Sequence, residues 1–185
     1  MSVRSKKPSG TSKPPKPHKY RFFLDRNLGG VELPKRLRNA GKDVVVHDDI
    51  YVPTERDPWI FYECGKKGLV VVTADKLFMK SFPHMAAIAL GRTTVLSFSN
   101  NNYNGGIRAT AFIDATRAID QVFRQHMGEP FIATIGVKGT VQVNVVNPRP
   151  TRKICEMADW NSYAAVCKAE GIRPDMPPQL KLKGF

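Results

Sequence analysis

The sequence lacks any long apolar run, and it contains few cysteines. No stretch approaches the roughly 20 apolar residues that a membrane-spanning helix needs, and no apolar segment follows the basic N-terminus, so neither a membrane protein nor a secretory signal is expected. The three cysteines, Cys64, Cys155 and Cys167, form neither a close pair nor an even set. We therefore expect reduced thiols in a cytoplasmic protein, rather than a disulfide framework or a zinc site.

Acidic residues are scarce and unevenly distributed. There are 16 of them against 29 lysines and arginines, a net charge of +13, which predicts a polyanionic partner, most simply nucleic acid, with an anionic membrane surface as the lesser alternative. Residues 1–19 hold six basic groups and no acid, whereas residues 20–75 hold nine groups of each sign. More than half of the carboxylates therefore fall in one neutral window between two cationic flanks.

Three regions are expected along the chain. Residues 1–19 are rich in lysine, proline and serine and predict a flexible basic arm, either a solubilising tail or a segment that binds nucleic acid. The candidate nucleic-acid contacts in this arm are Lys6, Lys7, Lys13, Lys16 and Lys19. Residues 20–147 predict one globular domain, and residues 148–185 a C-terminal extension with a helix at about 153–169.

Within the predicted domain, short apolar segments alternate with helical ones. Strands are expected at 20–24, 44–46, 69–73 and 93–99, separated by helices from Gly29-Gly30 to about residue 40, from Asp57 to about Gly68, and at 83–90. This alternation predicts an α/β fold, a three-layer α/β/α sandwich around a mainly parallel sheet. A long helix at 107–127 and a hairpin of 131–137 with 140–146 at a sheet edge complete the prediction.

Several aspartates follow the predicted strands directly. Asp25 ends the first strand, Asp48 and Asp49 follow the second, and Asp75 follows the third. Asp57-Pro58 has the sequence of a helix start, and the N-terminus of that helix falls at the same edge of the sheet. Ligands bind at the carboxyl ends of strands in such sheets. Carboxylates gathered there would repel one another unless they bound a hard cation, which predicts a Mg²⁺ or Mn²⁺ site.

Each of these acids also has a purely structural interpretation. Asp57 could be an N-cap, Asp75 a turn residue, and Asp48 or Asp49 a solvated loop charge, with His47-Asp48 as a local hydrogen-bonded pair. Asp25 is the hardest to explain in this way, because a carboxylate at the end of a buried aromatic strand must find a partner. Their joint placement favours a single site. Glu32 and Glu63 are expected to be helix-surface charges.

The segments that carry these aspartates resemble the PIN-like superfamily, most closely its VapC-type toxin and PIN-like branch. The matching stretches are Phe23-Leu24-Asp25-Arg26-Asn27-Leu28, residues 40–49, Asp57-Pro58-Trp59-Ile60 and Val71-Val72-Thr73-Ala74-Asp75-Lys76. The resemblance implies Mg²⁺- or Mn²⁺-dependent endoribonuclease activity, often that of the toxin in a toxin–antitoxin pair. It implies RNA and an antitoxin protein as partners, and a homodimer is left open.

The resemblance also implies roles for individual residues. Metal-binding and catalytic acids would be Asp25, Asp57 and Asp75, with Asp49 or Asp48 as the fourth. Thr73 would orient a carboxylate or a water, and Asn27 and Lys76 would support the site or contact phosphate. Arg26 is a further supporting residue, as a possible partner of Asp25. Many PIN domains carry a glutamate on a helix between the first and third acids; here the aspartates after the second strand would replace it.

Other protein classes fit the sequence less well than a nuclease. A phosphoacceptor receiver domain would carry its acidic pair at the end of the first strand, whereas this pair follows the second. The sequence contains no Gly-Lys-Ser/Thr or GxGxxG motif, so a nucleotide-binding loop is weakly supported even at Gly29-Gly30. The serious alternative is a non-catalytic RNA-binding protein on a PIN-like scaffold.

Overall fold

A computed structural model describes residues 20–28, 30–51 and 57–148. The predicted basic arm and its five lysines lie outside these residues, as does the predicted extension after residue 148. Asp57 begins a helix, but only its backbone belongs to the described part. In that part of the chain, no helix has the length and apolar character that crossing a bilayer would require.

The strands form one sheet of mainly parallel direction. They are β1 (Arg21–Leu24), β2 (Asp43–Val46), β3 (Leu69–Thr73), β4 (Val95–Phe98), β5 (Phe131–Ile135) and β6 (Val141–Val146). Their order is β2-β1-β3-β4-β5-β6; β1 to β5 are parallel, and β6 is antiparallel to β5 at the edge. Every residue of β3 is buried, as is usual for a central parallel strand. The predicted edge hairpin is confirmed.

Helices cover both faces of this sheet. They are α1 (Glu32–Asn39), α2 (His47–Ile50), α3 (Asp57–Lys66), α4 (Phe82–Gly91), α5 (Gly105–Asp114) and α6 (Thr116–Gln125). On one face, α1, α5 and α6 pack against alternate strand residues such as Phe22 and Val72. On the other face, α3 and α4 pack against Phe23 and Val71. The predicted three-layer α/β/α sandwich is therefore confirmed.

The crossover connections do not all have the same hand. The connection from β1 to β2 runs toward one edge of the sheet, and its helix α1 lies on one face. The connections β2 to β3 and β3 to β4 run toward the other edge, and their helices α3 and α4 lie on the other face. Direction and face change together, so these three connections have the same hand. The connection from β4 to β5 continues in the same direction along the sheet as β3 to β4, but its helices α5 and α6 lie on the opposite face. It therefore has the opposite hand, which is rare in parallel sheets.

The structure differs from the sequence predictions in two elements. His47, Asp48 and Asp49 form a helical turn, α2, rather than the end of the second strand, because Asp49 accepts a hydrogen bond from the backbone N–H of Val46 at 3.2 Å. The predicted long helix is two helices that meet at Ala115, where the β5–β6 turn at Gly139 lies close against the backbone.

Candidate functional site

The buried hydroxyl of Thr73 joins the ends of two adjacent strands. It donates a hydrogen bond to Oδ2 of Asp25 at 2.7 Å and accepts one from Nδ2 of Asn27 at 3.0 Å. The backbone N–H of Asp75 lies 3.1 Å from the same oxygen. A hydroxyl has one hydrogen, and Asp25 takes it, so the other two contacts use the oxygen as an acceptor. Thr73 therefore fixes one oxygen of the Asp25 carboxylate.

Asn27 closes this network from the other side. Its Oδ1 accepts a hydrogen bond from the backbone N–H of Ala74 at 3.0 Å, while its amide nitrogen binds Thr73. The backbone N–H of Asp25 in turn binds the carbonyl of Val72 at 3.0 Å. These contacts hold the segment after β1 against the end of β3 and bring the predicted supporting residues Thr73 and Asn27 to Asp25.

Asp75 has a structural contact of its own. Its Oδ1 accepts a hydrogen bond from the backbone N–H of Leu77 at 2.7 Å, which starts a short 3-10 turn, Leu77–Lys80. The turn interpretation made from the sequence therefore describes one of its oxygens. Its second oxygen accepts no hydrogen bond from the described residues. Asp75 thus has one carboxylate oxygen to offer a ligand at the edge where Asp25 lies.

This edge is the position where such sheets bind ligands. In the sheet, β1 has β2 as its neighbour on one side and β3 on the other. The chain first runs from β1 to β2 and then returns past β1 to β3, so the direction of strand order reverses between β1 and β3. A crevice opens outside the carboxyl ends of the strands at such a reversal. Asp25 follows β1 and Asp75 follows β3, on either side of this point. The backbone of α3 also begins here, at Asp57, as the sequence predicts.

Asp49 lies on the other side of β1, beside β2. Its Oδ2 accepts hydrogen bonds from Arg38 at 3.3 Å and from the backbone of Val46 at 3.2 Å, and its side chain is 58% exposed. The carboxylate is thus already neutralised by a guanidinium and caps α2. The described contacts link Asp49 to α1 rather than to the network around Thr73.

Asp48, His47 and Arg26 form a second chain of contacts. Nδ1 of His47 lies 2.8 Å from Oδ1 of Asp48, which confirms the local pair suggested by the sequence. Nε2 of His47 lies 3.2 Å from Nη2 of Arg26. A guanidinium only donates, so Nε2 accepts and the proton on Nδ1 points to Asp48. The imidazole itself is 1% exposed, although the Asp48 side chain is 76% exposed.

Two further cations lie at this edge. Lys76 donates from Nζ to the carbonyl of Ser99 at 2.6 Å, so the predicted supporting lysine connects the ends of β3 and β4. Arg108 on α5 was not predicted, and it is buried. Its guanidinium donates to the carbonyls of Leu28 at 2.9 Å and Asn101 at 2.7 Å and lies 3.3 Å from that of Asn27. Burial lowers the pKa of Arg108.

Arg108 could have been found from the sequence. It lies four residues before Phe112, on the apolar stripe of the predicted long helix, where a charged side chain needs buried partners. Those partners are backbone carbonyls of the loops that follow β1 and β4. Arg108 therefore fixes the loop that carries Asn27.

The remaining candidate acids are surface charges, as expected. Glu32 pairs with Arg36 at 3.5 Å, and Glu63 pairs with Lys67 at 2.8 Å.

Cys64 is buried in the α3–α4 layer, and burial raises the pKa of its thiol to about 12. This thiol stays protonated at neutral pH and packs as an apolar group.

The oxygen donors around Thr73 are partly suited to binding a divalent cation. The described residues, which do not include the Asp57 side chain, contain no group of three or more histidines, cysteines, aspartates or glutamates placed to hold a metal ion. Mg²⁺, however, keeps several waters and is usually bound by one or two carboxylates together with substrate phosphates. Asp25 and Asp75 supply two carboxylates of this kind.

Comparisons with known proteins bear on this region. Residues 20–100 match the family model of the PIN-like domain. Comparison with curated proteins and with solved structures gave no significant match. The matched segment includes β1 to β4 and every aspartate considered above. The match supports a PIN-like domain within residues 20–100.

Proposed function

We propose that this protein is a metal-dependent endoribonuclease whose reaction takes place beside Asp25 and Asp75. The supporting observation is the Thr73 network, which ties Asp25 and Asp75 together at the reversal of strand order. PIN-like domains are commonly nucleases, and the net charge of +13 suits a polyanionic substrate.

Asp25 and Asp75 would hold Mg²⁺ or Mn²⁺, and Asp57, whose helix begins at this edge, would complete the set. Such an ion, when bound, neutralises charge on a phosphodiester and makes a water more acidic. The chain's own residues provide the orientation. Thr73 keeps one oxygen of Asp25 occupied, so the other oxygen has a fixed direction. Asp49 is the weaker candidate for a fourth ligand, because Arg38 already binds it.

Asparagine substitutions test this proposal without removing the contacts seen here. Asp25→Asn keeps an oxygen that can accept from Thr73, and Asp75→Asn keeps one that can accept from Leu77. Asp43→Asn is the matched control, since Asp43 starts β2 at the opposite edge of the sheet and pairs with Arg21. Asp57→Asn completes the series. Each variant is assayed on labelled RNA and single-stranded DNA with Mg²⁺, Mn²⁺ or EDTA.

We expect the Asp25, Asp57 and Asp75 variants to lose cleavage by about 100-fold or more, equivalent to about 2.7 kcal/mol of transition-state stabilisation. RNA binding should persist, because these variants remove negative charge beside a polyanion. The Asp43 variant should cleave like the wild type. Cleavage that EDTA leaves unchanged would exclude the metal-dependent mechanism.

The alternative is a non-catalytic RNA-binding protein on this scaffold. It would bind RNA without cleaving any nucleic acid under these conditions, and the Asp75 variant would change only its affinity. A toxin role rests on the resemblance to VapC-type proteins and stays a prediction. It requires an antitoxin that inhibits the activity, and a neighbouring gene encoding a small DNA-binding protein would support it.

A further inference from the structure

A cleft lies next to Asp25, on the side of β1 that faces α1. Its volume is about 560 Å³, within the range of about 300–1,000 Å³ that is typical for small-molecule sites. Its wall includes the apolar side chains of Leu28, Leu33 and Pro34. Its polar lining includes three cations, Arg26, Lys35 and Arg38, and three carboxylates, of which Asp48 contacts His47 and Asp49 pairs with Arg38, while Asp25 is the third. An apolar wall with cations beside it suits one nucleotide unit, since the base can lie on the wall and phosphate oxygens can meet the cations.

The three cations of the cleft differ in what already binds them. Arg38 is occupied, because it donates to the carbonyl of Val44 at 3.2 Å and to Asp49 at 3.3 Å. Arg26 and Lys35 form no ion pair with a carboxylate of the described residues. Within the described residues, then, no carboxylate balances the charge of Arg26 or Lys35, whereas Asp49 balances that of Arg38.

Arg26 is also held in place. One of its N–H groups binds Nε2 of His47 at 3.2 Å, and the His47 ring is itself fixed by Asp48 at 2.8 Å and by contact with the rings of Phe23 and Tyr51. A guanidinium has five N–H groups, so most of them remain available. Arginine that is oriented by a neutral acceptor keeps its full charge, and it can bind a phosphate through two parallel hydrogen bonds.

We propose that this cleft binds the nucleotide next to the bond that is cut, with Arg26 and Lys35 contacting its phosphate. His47 is a positioning residue that acts through Arg26, and Asp48 acts through His47. This inference rests on the proposed nuclease function, because it takes Asp25, which also lines the cleft, as the place of reaction.

The test measures binding separately from cleavage, with the full-length protein. Anisotropy of a short labelled single-stranded RNA is recorded in Ca²⁺ or EDTA, over a series of salt concentrations. The variants are Arg26→Gln and Lys35→Gln. The matched control is Arg36→Gln, because Arg36 lies on α1 like Lys35 but pairs with Glu32 and contacts Gly106 instead of lining the cleft.

We expect Arg26→Gln and Lys35→Gln each to weaken binding about tenfold, equivalent to about 1.4 kcal/mol. Each should also reduce the slope of log affinity against log salt by about 0.7, the value for one phosphate contact on a single strand. Arg36→Gln should change neither quantity.

His47 is tested by two substitutions with opposite expectations. His47→Phe keeps a ring but removes the acceptor for Arg26, so it should weaken binding as Arg26→Gln does. His47→Gln restores an acceptor oxygen and should recover most of the affinity. In a double variant, Arg26→Gln should add little to His47→Phe, because both remove the same contact. Unfolding midpoints of all variants show whether the fold is retained.

The outcomes separate this inference from the proposed function. If the chain cleaves no nucleic acid but the Arg26 and Lys35 variants lose affinity and the control does not, the cleft binds RNA and the nuclease proposal is wrong. If the chain cleaves RNA while both variants bind it like the wild type, the inference is wrong. Unchanged RNA binding with weakened binding of a polyglutamate peptide would identify an acidic protein segment as the occupant and would also overturn it.

Discussion

Replacing Thr73 with valine should destabilise the protein although the two side chains have nearly the same shape. Valine keeps the buried volume and removes the hydroxyl that Asp25, Asn27 and Asp75 share. A hydrogen bond to a charged group contributes about 1.5–3 kcal/mol, and a buried donor left without a partner costs about 1–3 kcal/mol. Asn27 is exposed, so its amide can bind water instead. We expect a loss of about 2–4 kcal/mol in the free energy of unfolding.

The matched control is Thr73→Ser. Serine keeps the hydroxyl and removes only the methyl group, for which we expect a loss of about 1 kcal/mol. Both variants are compared with the wild type by urea unfolding followed by circular dichroism. The slope of the free energy with urea should stay unchanged, because the same surface is buried. Serine and valine variants of equal stability, or a valine variant within 0.5 kcal/mol of the wild type, would refute the role assigned to the hydroxyl.

Three other substitutions test the packing and the buried charges. Burial raises the pKa of Cys64 from 9.0 to about 12. The stability that its protonated thiol provides is therefore complete below pH 9 and is lost as the pH rises toward 12. Between pH 8 and pH 11, the free energy of unfolding of the wild type should fall by about 2–3 kcal/mol more than that of Cys64→Ala, as measured by urea unfolding at each pH. A Cβ on Gly65 would lie 2.3 Å from the carbonyl oxygen of Gly91, so Gly65→Ala should separate α3 from α4 and lower the thermal midpoint by the equivalent of about 2 kcal/mol or more; an unchanged midpoint would contradict this close approach. Arg108→Lys keeps the charge but loses the planar guanidinium that reaches three backbone carbonyls. Calorimetry should show a decrease of about 1–3 kcal/mol in the free energy of unfolding. A decrease below about 0.5 kcal/mol would show that the guanidinium geometry is not needed.

The sequence predicts the layers of this fold well, because they depend on local patterns. The apolar run of residues 69–73 predicts a central strand, and the structure confirms its bounds. Asp57-Pro58 predicts a helix start, and α3 begins there. Secondary-structure propensity and turn residues act over a few neighbouring positions, so a single sequence contains the information that places these strands and helices.

The contacts of the site depend on long-range pairing that no local pattern contains. Asp25 needs a partner at the end of its buried strand, and it finds one in Thr73, 48 residues away. The two meet only because β1 pairs with β3. Arg26 is adjacent to Asp25 in sequence but binds His47 instead. Asp48 and Asp49 could not be told apart from the sequence, because their directions depend on the helical turn that starts at His47.

The reversed hand of the β4–β5 connection has a consequence for the order in which the two halves of the core can close during synthesis. The layer formed by α3 and α4 against Phe23 and Val71 lacks only Ile132 of β5 once residue 98 has been made. The opposite layer has only α1 at that stage, because α5 and α6, which bury Phe22 and Val72, follow later in the chain. A fragment that ends at residue 100, where the family match ends, would expose to water the part of this face that α5 and α6 cover. When only that segment has left the ribosome, one face of the sheet is covered by helices and the other still exposes apolar side chains to water.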